Sequence, residues 1–267
     1  MRPAYIFALL AGPILAAIVR PASAAPPPAP PKDAVLVVGA LHDLHPREPA
    51  FGYDDLGAAI RAFAPDVLVL EVRADELAGR TATPGRPEYP AVIWPLLAAM
   101  EVETVAMEPD GALFGAISGE AGAAFDAMRR RDPGGAAALS RLAADVDAFL
   151  LAYWQGAAQV QDATTAALAD GVQSARFALA GPAFAQAQAR WDDFMTGRAL
   201  AAVRAHPGKR VMVIGSYKNR ALLDAALRKA APRRVIDAGQ WFRRQGPAAG
   251  LPLGAPRRSP AASGQAR

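Results

Sequence analysis

The chain has 267 residues, no cysteine and a formal net charge of +4. The missing cysteine excludes disulfides, thiolate metal ligands, a cysteine nucleophile and a lipid-modified cysteine anchor. The basic balance does not point to nucleic acid: Arg2, Arg20, Arg243, Arg244, Arg257, Arg258 and Arg267 lie at the two ends, residues 25–242 carry a net −3, and no basic stripe with interleaved aromatics is visible.

In chain order, Met1 to Ala24 reads as a secretory signal peptide: a basic start at Arg2, an apolar run from Ala4 to Val19, and small residues at Ala22-Ser23-Ala24. The apolar run, interrupted by Pro13 and closed by Arg20, is shorter than the roughly 20 residues that span a bilayer. Cleavage after Ala24 is expected, with a periplasmic or secreted mature chain and no transmembrane segment after it; an uncleaved membrane anchor is the alternative. Residues 25–31, APPPAPP, form a Pro-rich linker of extended polyproline type. Residues 32–244 are expected to be one α/β domain, and residues 245–267, rich in Pro, Gly, Ala and Ser, a disordered tail.

Within the domain, four short apolar runs with β-branched residues predict buried strands: Ala34–Val38, Val67–Leu70, Thr104–Met107 and Val211–Ile214, with Val235–Ile236 a weaker fifth. Between them, Leu56, Ile60 and Phe63 mark one face of a helix over Asp54–Phe63, and Val92, Leu96 and Met100 one over Ala91–Met100. Strands alternating with helices imply crossovers, hence an α/β fold with a mostly parallel central sheet flanked by helices. Residues 111–205 are Ala-rich and predict three to five helices, broken near Pro133-Gly134 and Gly181-Pro182. They read as a helical insertion before the last core strands.

Each strand runs out into polar residues. Gly39-Ala40-Leu41-His42 comes after the first, with His45 beyond; Glu71 and Arg73 come after the second; Glu108 after the third; Gly215-Ser216-Tyr217-Lys218-Asn219 after the fourth. In a parallel sheet these positions share the carboxyl edge, where ligand crevices form. Glu71 directly after an apolar strand risks desolvation, and such carboxylates are paired or used. His42, Glu71 and Lys218 are therefore the candidate catalytic residues, and His45, Arg73, Glu88, Glu108, Tyr217 and Asn219 the candidate substrate-binding ones, to which only a family resemblance adds Arg190. Several have blander readings. His42 could be a turn residue, His45 and Glu108 could sit in solvated loops, and Glu88 could be an acid favoured at a helix start. The whole edge could also be polar surface without a pocket.

Gly39-Ala40-Leu41-His42, the strand ending in Glu71, the helical middle and Pro207-Gly208-Lys209-Arg210-Val211-Met212-Val213-Ile214-Gly215 together resemble the TraB/PrgY/GumN and Tiki group, with a more distant similarity to ChaN-like haem-uptake and erythromycin-esterase-like proteins. The resemblance implies a hydrolase centre holding a divalent metal between two Gly-x-x-His motifs and a glutamate, so His42 and Glu71 become candidate metal ligands. The chain departs from the pattern at Lys218, where the family has histidine, and at Trp191-Asp192, where it has Arg-Asn; only the resemblance raises Arg190 and Asp192 above a solvated helix face. An ammonium has donors and no free acceptor, so Lys218 is a poor ligand. Two expectations result. One is an exported hydrolase, metal-dependent on the resemblance, in which His42 and Glu71 hold a divalent metal or act as base and orienter on water, and Lys218 stabilises developing negative charge. The other is a non-catalytic member that binds a small-molecule or peptide ligand, with Lys218 paired to Glu71 in place of the metal.

Overall fold

A computed structural model describes residues 29–245. The signal peptide and nearly all of the predicted tail lie outside the described residues. Four strands form one all-parallel sheet: β1 (Val35–Ala40), β2 (Val67–Leu70), β3 (Glu103–Ala106) and β4 (Val211–Ser216), in the order β1-β4-β2-β3. The predicted Val235–Ile236 strand is a single bridge, Val35 to Val235, at the free edge of β1.

Every side chain of β1, β2 and β4 is buried, so these strands read as unbroken apolar runs, as expected of a sheet covered on both faces. Alternation along each strand still sorts the residues. Leu36, Val38, Leu68, Leu70, Met212 and Ile214 share one apolar core with α1 (Tyr53–Phe63), a π-turn at Tyr89–Ile93 and the C-terminal residues Trp241 and Phe242. Val35, Val37, Val67, Val69, Val211 and Val213 pack on the opposite face against Ala199, Val203, Leu223 and Leu227. The predicted helix at Ala91–Met100 is thus the π-turn followed by α3 (Trp94–Ala99), with Pro90 and Pro95 near the two starts, where missing N–H groups cost least. A six-residue helix, α2 (Ala74–Gly79), follows β2.

The insertion contains five helices: α4 (Gly111–Arg131), α5 (Pro133–Tyr153), α6 (Ala157–Val160), α7 (Ala163–Ala180) and α8 (Pro182–Ala205). Its breaks at Asp132-Pro133 and Gly181-Pro182 are those the sequence predicts; Gly181 has φ +86°, in the left-handed region that favours glycine. Met128, Leu139 and Ala180 give it a small core of its own. The chain closes with α9 (Arg220–Ala230) and α10 (Ala238–Gln245). The last helix takes in Gln245, one residue into the predicted tail, because Trp241 and Phe242 are buried against the sheet. No described helix is long and apolar enough to cross a membrane.

The position of β4 between β1 and β2 decides the rest. The register pairs Gly39 with Gly215 and Leu70 with Ile214, so the exits of all three strands lie side by side. A Cβ on Gly39 would stand 2.7 Å from Tyr217 Cα, and one on Gly215 would stand 2.7 Å from Glu71 Oε2. Both glycines permit close approach and not a turn. Gly39→Ala should therefore lower unfolding free energy by ~1–3 kcal/mol, the usual range for overpacking. Gly115→Ala, in open space on α4, should raise it by ~0.5–1 kcal/mol. Denaturant unfolding of both variants checks the pair.

Candidate functional site

At the carboxyl edge, β1 leads into a 3₁₀ turn over His42–Arg47 whose first residue has φ +53°, a left-handed conformation rarely taken by residues other than glycine. This turn brings the His42 ring to Glu88, at the start of the π-turn. Nδ1–H donates to Glu88 Oε1 at 2.6 Å, and Glu88 is completely buried. The other nitrogen, Nε2, is buried without a hydrogen-bond partner among the described residues and lies 3.8 Å from Glu71 Oε1. That gap is too long for a hydrogen bond, so the contact is Coulombic.

Glu71 is held from three further sides. Its Oε2 accepts from the backbone N–H of Ser216, its Oε1 accepts from Asn219 Nδ2 at 3.1 Å, and Arg86 Nη2 lies 3.8 Å from Oε1. Arg86 in turn donates to both oxygens of Glu108, at 2.9 and 2.5 Å, and to the backbone carbonyl of Glu71 at 2.5 Å. The result is a row of alternating charge, Glu88, His42, Glu71, Arg86, Glu108.

Burial alone would push the His42 imidazole toward neutrality, but the negative charge of Glu71 and Glu88 beside it, with the hydrogen bond to Glu88, outweighs burial and raises its pKa to about 9. Burial likewise opposes ionisation of Glu71, yet His42, Arg86 and the Ser216 N–H keep its pKa below the usual carboxylate value. Burial raises Glu108, with Arg86 offsetting part of the effect.

His42, Glu71 and Arg86 line the floor of a cavity of about 580 Å³ whose walls come from the insertion: Val146 and Asp147 of α5, Val172 and Phe177 of α7, Gln188 and Asp192 of α8. The cavity rules out an edge that is only polar surface. Lys218, Asn219 and Leu222 complete it.

The predicted residues divide accordingly. His42, Glu71, Tyr217, Lys218 and Asn219 meet at the cavity, and Glu88 supports it from behind. Tyr217 donates through its hydroxyl to Asp147 at 2.8 Å, tying the strand exit to α5. The others do not line the cavity. His45 is buried away from the cavity: its Nε2 accepts from Leu41 N–H and its Nδ1 donates to the Phe51 carbonyl, both at 3.0 Å, and burial lowers its pKa. This is a turn lock. Arg73 pairs with Asp75 and Glu76 and covers the Phe114 ring, off the cavity. Glu108 holds Arg86 and does not face the cavity; Arg190 pairs with Glu120 at the surface. The expected Lys218–Glu71 pair is absent among the described residues: Lys218 is exposed, its Nζ 5.3 Å from the Tyr217 ring centroid. Arg86 supplies the positive charge instead. Sequence reasoning missed it because a loop arginine between Gly85 and Pro87 carries no periodic signal, although its place two residues before Glu88 was visible.

The donor set can be tested against a divalent metal. Glu88 fixing Nδ1 while Nε2 lacks a partner fits the carboxylate–histidine arrangement behind metal ligands. The rest does not fit. No group of three or more metal-ligating side chains is present among the described residues, where a catalytic zinc usually takes three protein ligands, and the Arg86 guanidinium already places positive charge beside Glu71. Comparison with protein-family models, curated proteins and solved structures finds no match. Function is therefore inferred from this geometry.

Two consequences are measurable. Arg86→Met leaves Glu71 and Glu108 buried without their cation and should cost ~3–5 kcal/mol in denaturant unfolding. For His42, the folded pKa of about 9 exceeds the ordinary 6.5, so its ionic contacts stabilise the fold fully below pH 6.5, and that contribution is lost as pH rises through about 9. Unfolding free energy should fall across this window in the natural protein, and His42→Asn should flatten the slope.

Proposed function

We infer that the protein is a hydrolase of the TraB/Tiki-like type whose chemistry is acid–base and independent of metal, with His42 as the working group. The observation that carries this reading is the Glu88–His42–Glu71 arrangement on a cavity floor. One imidazole nitrogen is anchored by a buried carboxylate and the other is unpartnered beside a second carboxylate. An oriented base, strained backbone and perturbed ionisation in one cleft is the pattern of a catalytic site. The cavity volume suits a small molecule or the end of a peptide.

In this mechanism neutral His42 accepts a proton from water at Nε2 while the water oxygen bonds to the carbonyl carbon of an ester or amide. The imidazolium then returns the proton to the leaving group as the carbon–heteroatom bond breaks. Glu88 fixes the ring and stabilises the imidazolium. Glu71, held by Ser216, Asn219 and Arg86, sets the second contact for the attacking water: two atoms 3.8 Å apart can both reach one water at about 2.8 Å. Lys218, at the rim, is placed to offset negative charge that develops on the substrate. Nε2 is screened in this structure, so the reading requires the floor to open slightly as substrate enters.

A second reading, a ligand-binding pocket without turnover, is favoured by the saturation of Glu71 and by the protonation of His42 at neutral pH. Hydrolysis of chromogenic esters and peptides across pH, with and without chelator, separates the two. The hydrolase reading expects turnover that rises with pH to a midpoint near 9, survives chelator, and falls ~10²- to 10⁴-fold in Glu88→Gln. Chelator-sensitive turnover would return a metal to the mechanism, and absence of turnover at every pH would leave the binding reading.

A further inference from the structure

Among the described residues β1 is an edge strand: β4 covers one side, and on the other its N-terminal end bonds to the chain at Arg234 and Ile236, with Val35 N–H donating to the Arg234 carbonyl and Ile236 N–H donating to the Val35 carbonyl. Four residues further on, the same open side of β1 meets a side chain instead of a strand. Gln161, 3% exposed, accepts from Gly39 N–H through Oε1 at 2.7 Å and donates through Nε2 to the Gly39 carbonyl at 2.9 Å. One primary amide thus stands in for the missing neighbour, three residues before His42. Gly39 admits it because it has no side chain, and a Cβ there would lie 3.3 Å from Gln161 Oε1.

Gln161 is itself fixed within the insertion. It follows α6, Tyr153 OH donates to Asp162 Oδ2 at 2.5 Å, Thr165 Oγ1 receives the Trp154 indole N–H at 2.9 Å and donates to the Gln159 carbonyl at 2.7 Å, and Arg220 reaches the Asp162 carbonyl at 3.3 Å. We propose that Gln161 is a positioning residue: its amide sets the exit of β1 and so holds the left-handed His42 in contact with Glu88, coupling the helical insertion to the site. A left-handed histidine persists only where its surroundings over-determine it. The chain between Gly39 and His42 is too short to absorb a loosened strand end without moving the ring.

This role rests on His42 being the working group, but its test reads the imidazole and the strand edge, so it can fail while the hydrolase reading stands, and the reverse. In ¹⁵N-labelled protein, the His42 Nδ1 proton, in its 2.6 Å bond to buried Glu88, should give a downfield, slowly exchanging resonance, easily assigned among three histidines. Gln161→Leu should abolish that resonance and speed exchange of the Gly39 amide by about tenfold or more, the sign of local opening. Gln161→Glu keeps an acceptor for Gly39 N–H and loses the donor, and should give a partial effect in a folded protein. Thr165→Val, which breaks the neighbouring Trp154 bond, should lower stability and leave the His42 resonance in place. The proposal is overturned if folded Gln161→Leu or Gln161→Glu retains the natural resonance and exchange rate, or if Thr165→Val removes the resonance as completely as Gln161→Leu.

Discussion

Three carboxylates and two cations buried at the edge of a sheet must neutralise one another, and the row Glu88, His42, Glu71, Arg86, Glu108 is how this fold does so. None of these groups could be ionised alone in an apolar interior. Neighbouring charge is why Glu71 keeps a pKa below the usual carboxylate value despite burial and why that of the imidazole is raised well above its ordinary range. Removing one member strands another, so the row acts as a unit and constrains the loops that carry it.

The sheet order makes the row geometrically available. With β4 between β1 and β2, His42 and Glu71 arrive from opposite sides and the backbone of Ser216 closes over Glu71 from the middle. Gly215 lets that N–H approach the carboxylate, and Gly39 lets Tyr217 pass β1. The insertion then walls the crevice and is fastened at Gln161 to Gly39 and at Asp147 to Tyr217. Stability and chemistry pull in opposite directions here. The protonation of His42 that strengthens the fold withholds the base, so the pH range in which the site gains a base is the range in which the row loses stabilisation.

Much of the fold was legible because buried parallel strands are apolar throughout: Val67–Leu70 and the starts of β1 and β4 stand out against polar flanks. The third strand was harder. It lies at the sheet edge with Glu103 exposed, so its start is polar and the apolar run appears one residue late. The C-terminal helix α10 was missed because Arg243 and Arg244 belong to its last turn yet read as the start of a basic tail. At the candidate site, the positions of His42, Glu71 and Asn219 were legible from their place after strands, and Glu88 both stands at the start of the π-turn and bonds to His42. Lys218 reaches the cavity but not Glu71, since adjacency to a motif does not decide which partner a long side chain takes. Arg86 and Gln161 were invisible for a common reason: each acts on a residue distant in sequence, Arg86 on Glu108 and Gln161 on Gly39, from segments whose local pattern is a loop and a short helix end.

The central claim is that His42 is clamped between the carboxyl groups of Glu88 and Glu71. The most direct measurement is an NMR pH titration of its ring signals in the folded protein. The row predicts an imidazole that stays protonated through neutrality and loses its proton with a midpoint near 9. A midpoint at or below the ordinary 6.5 would contradict it, because His42 would then be feeling its burial and not its two carboxylates.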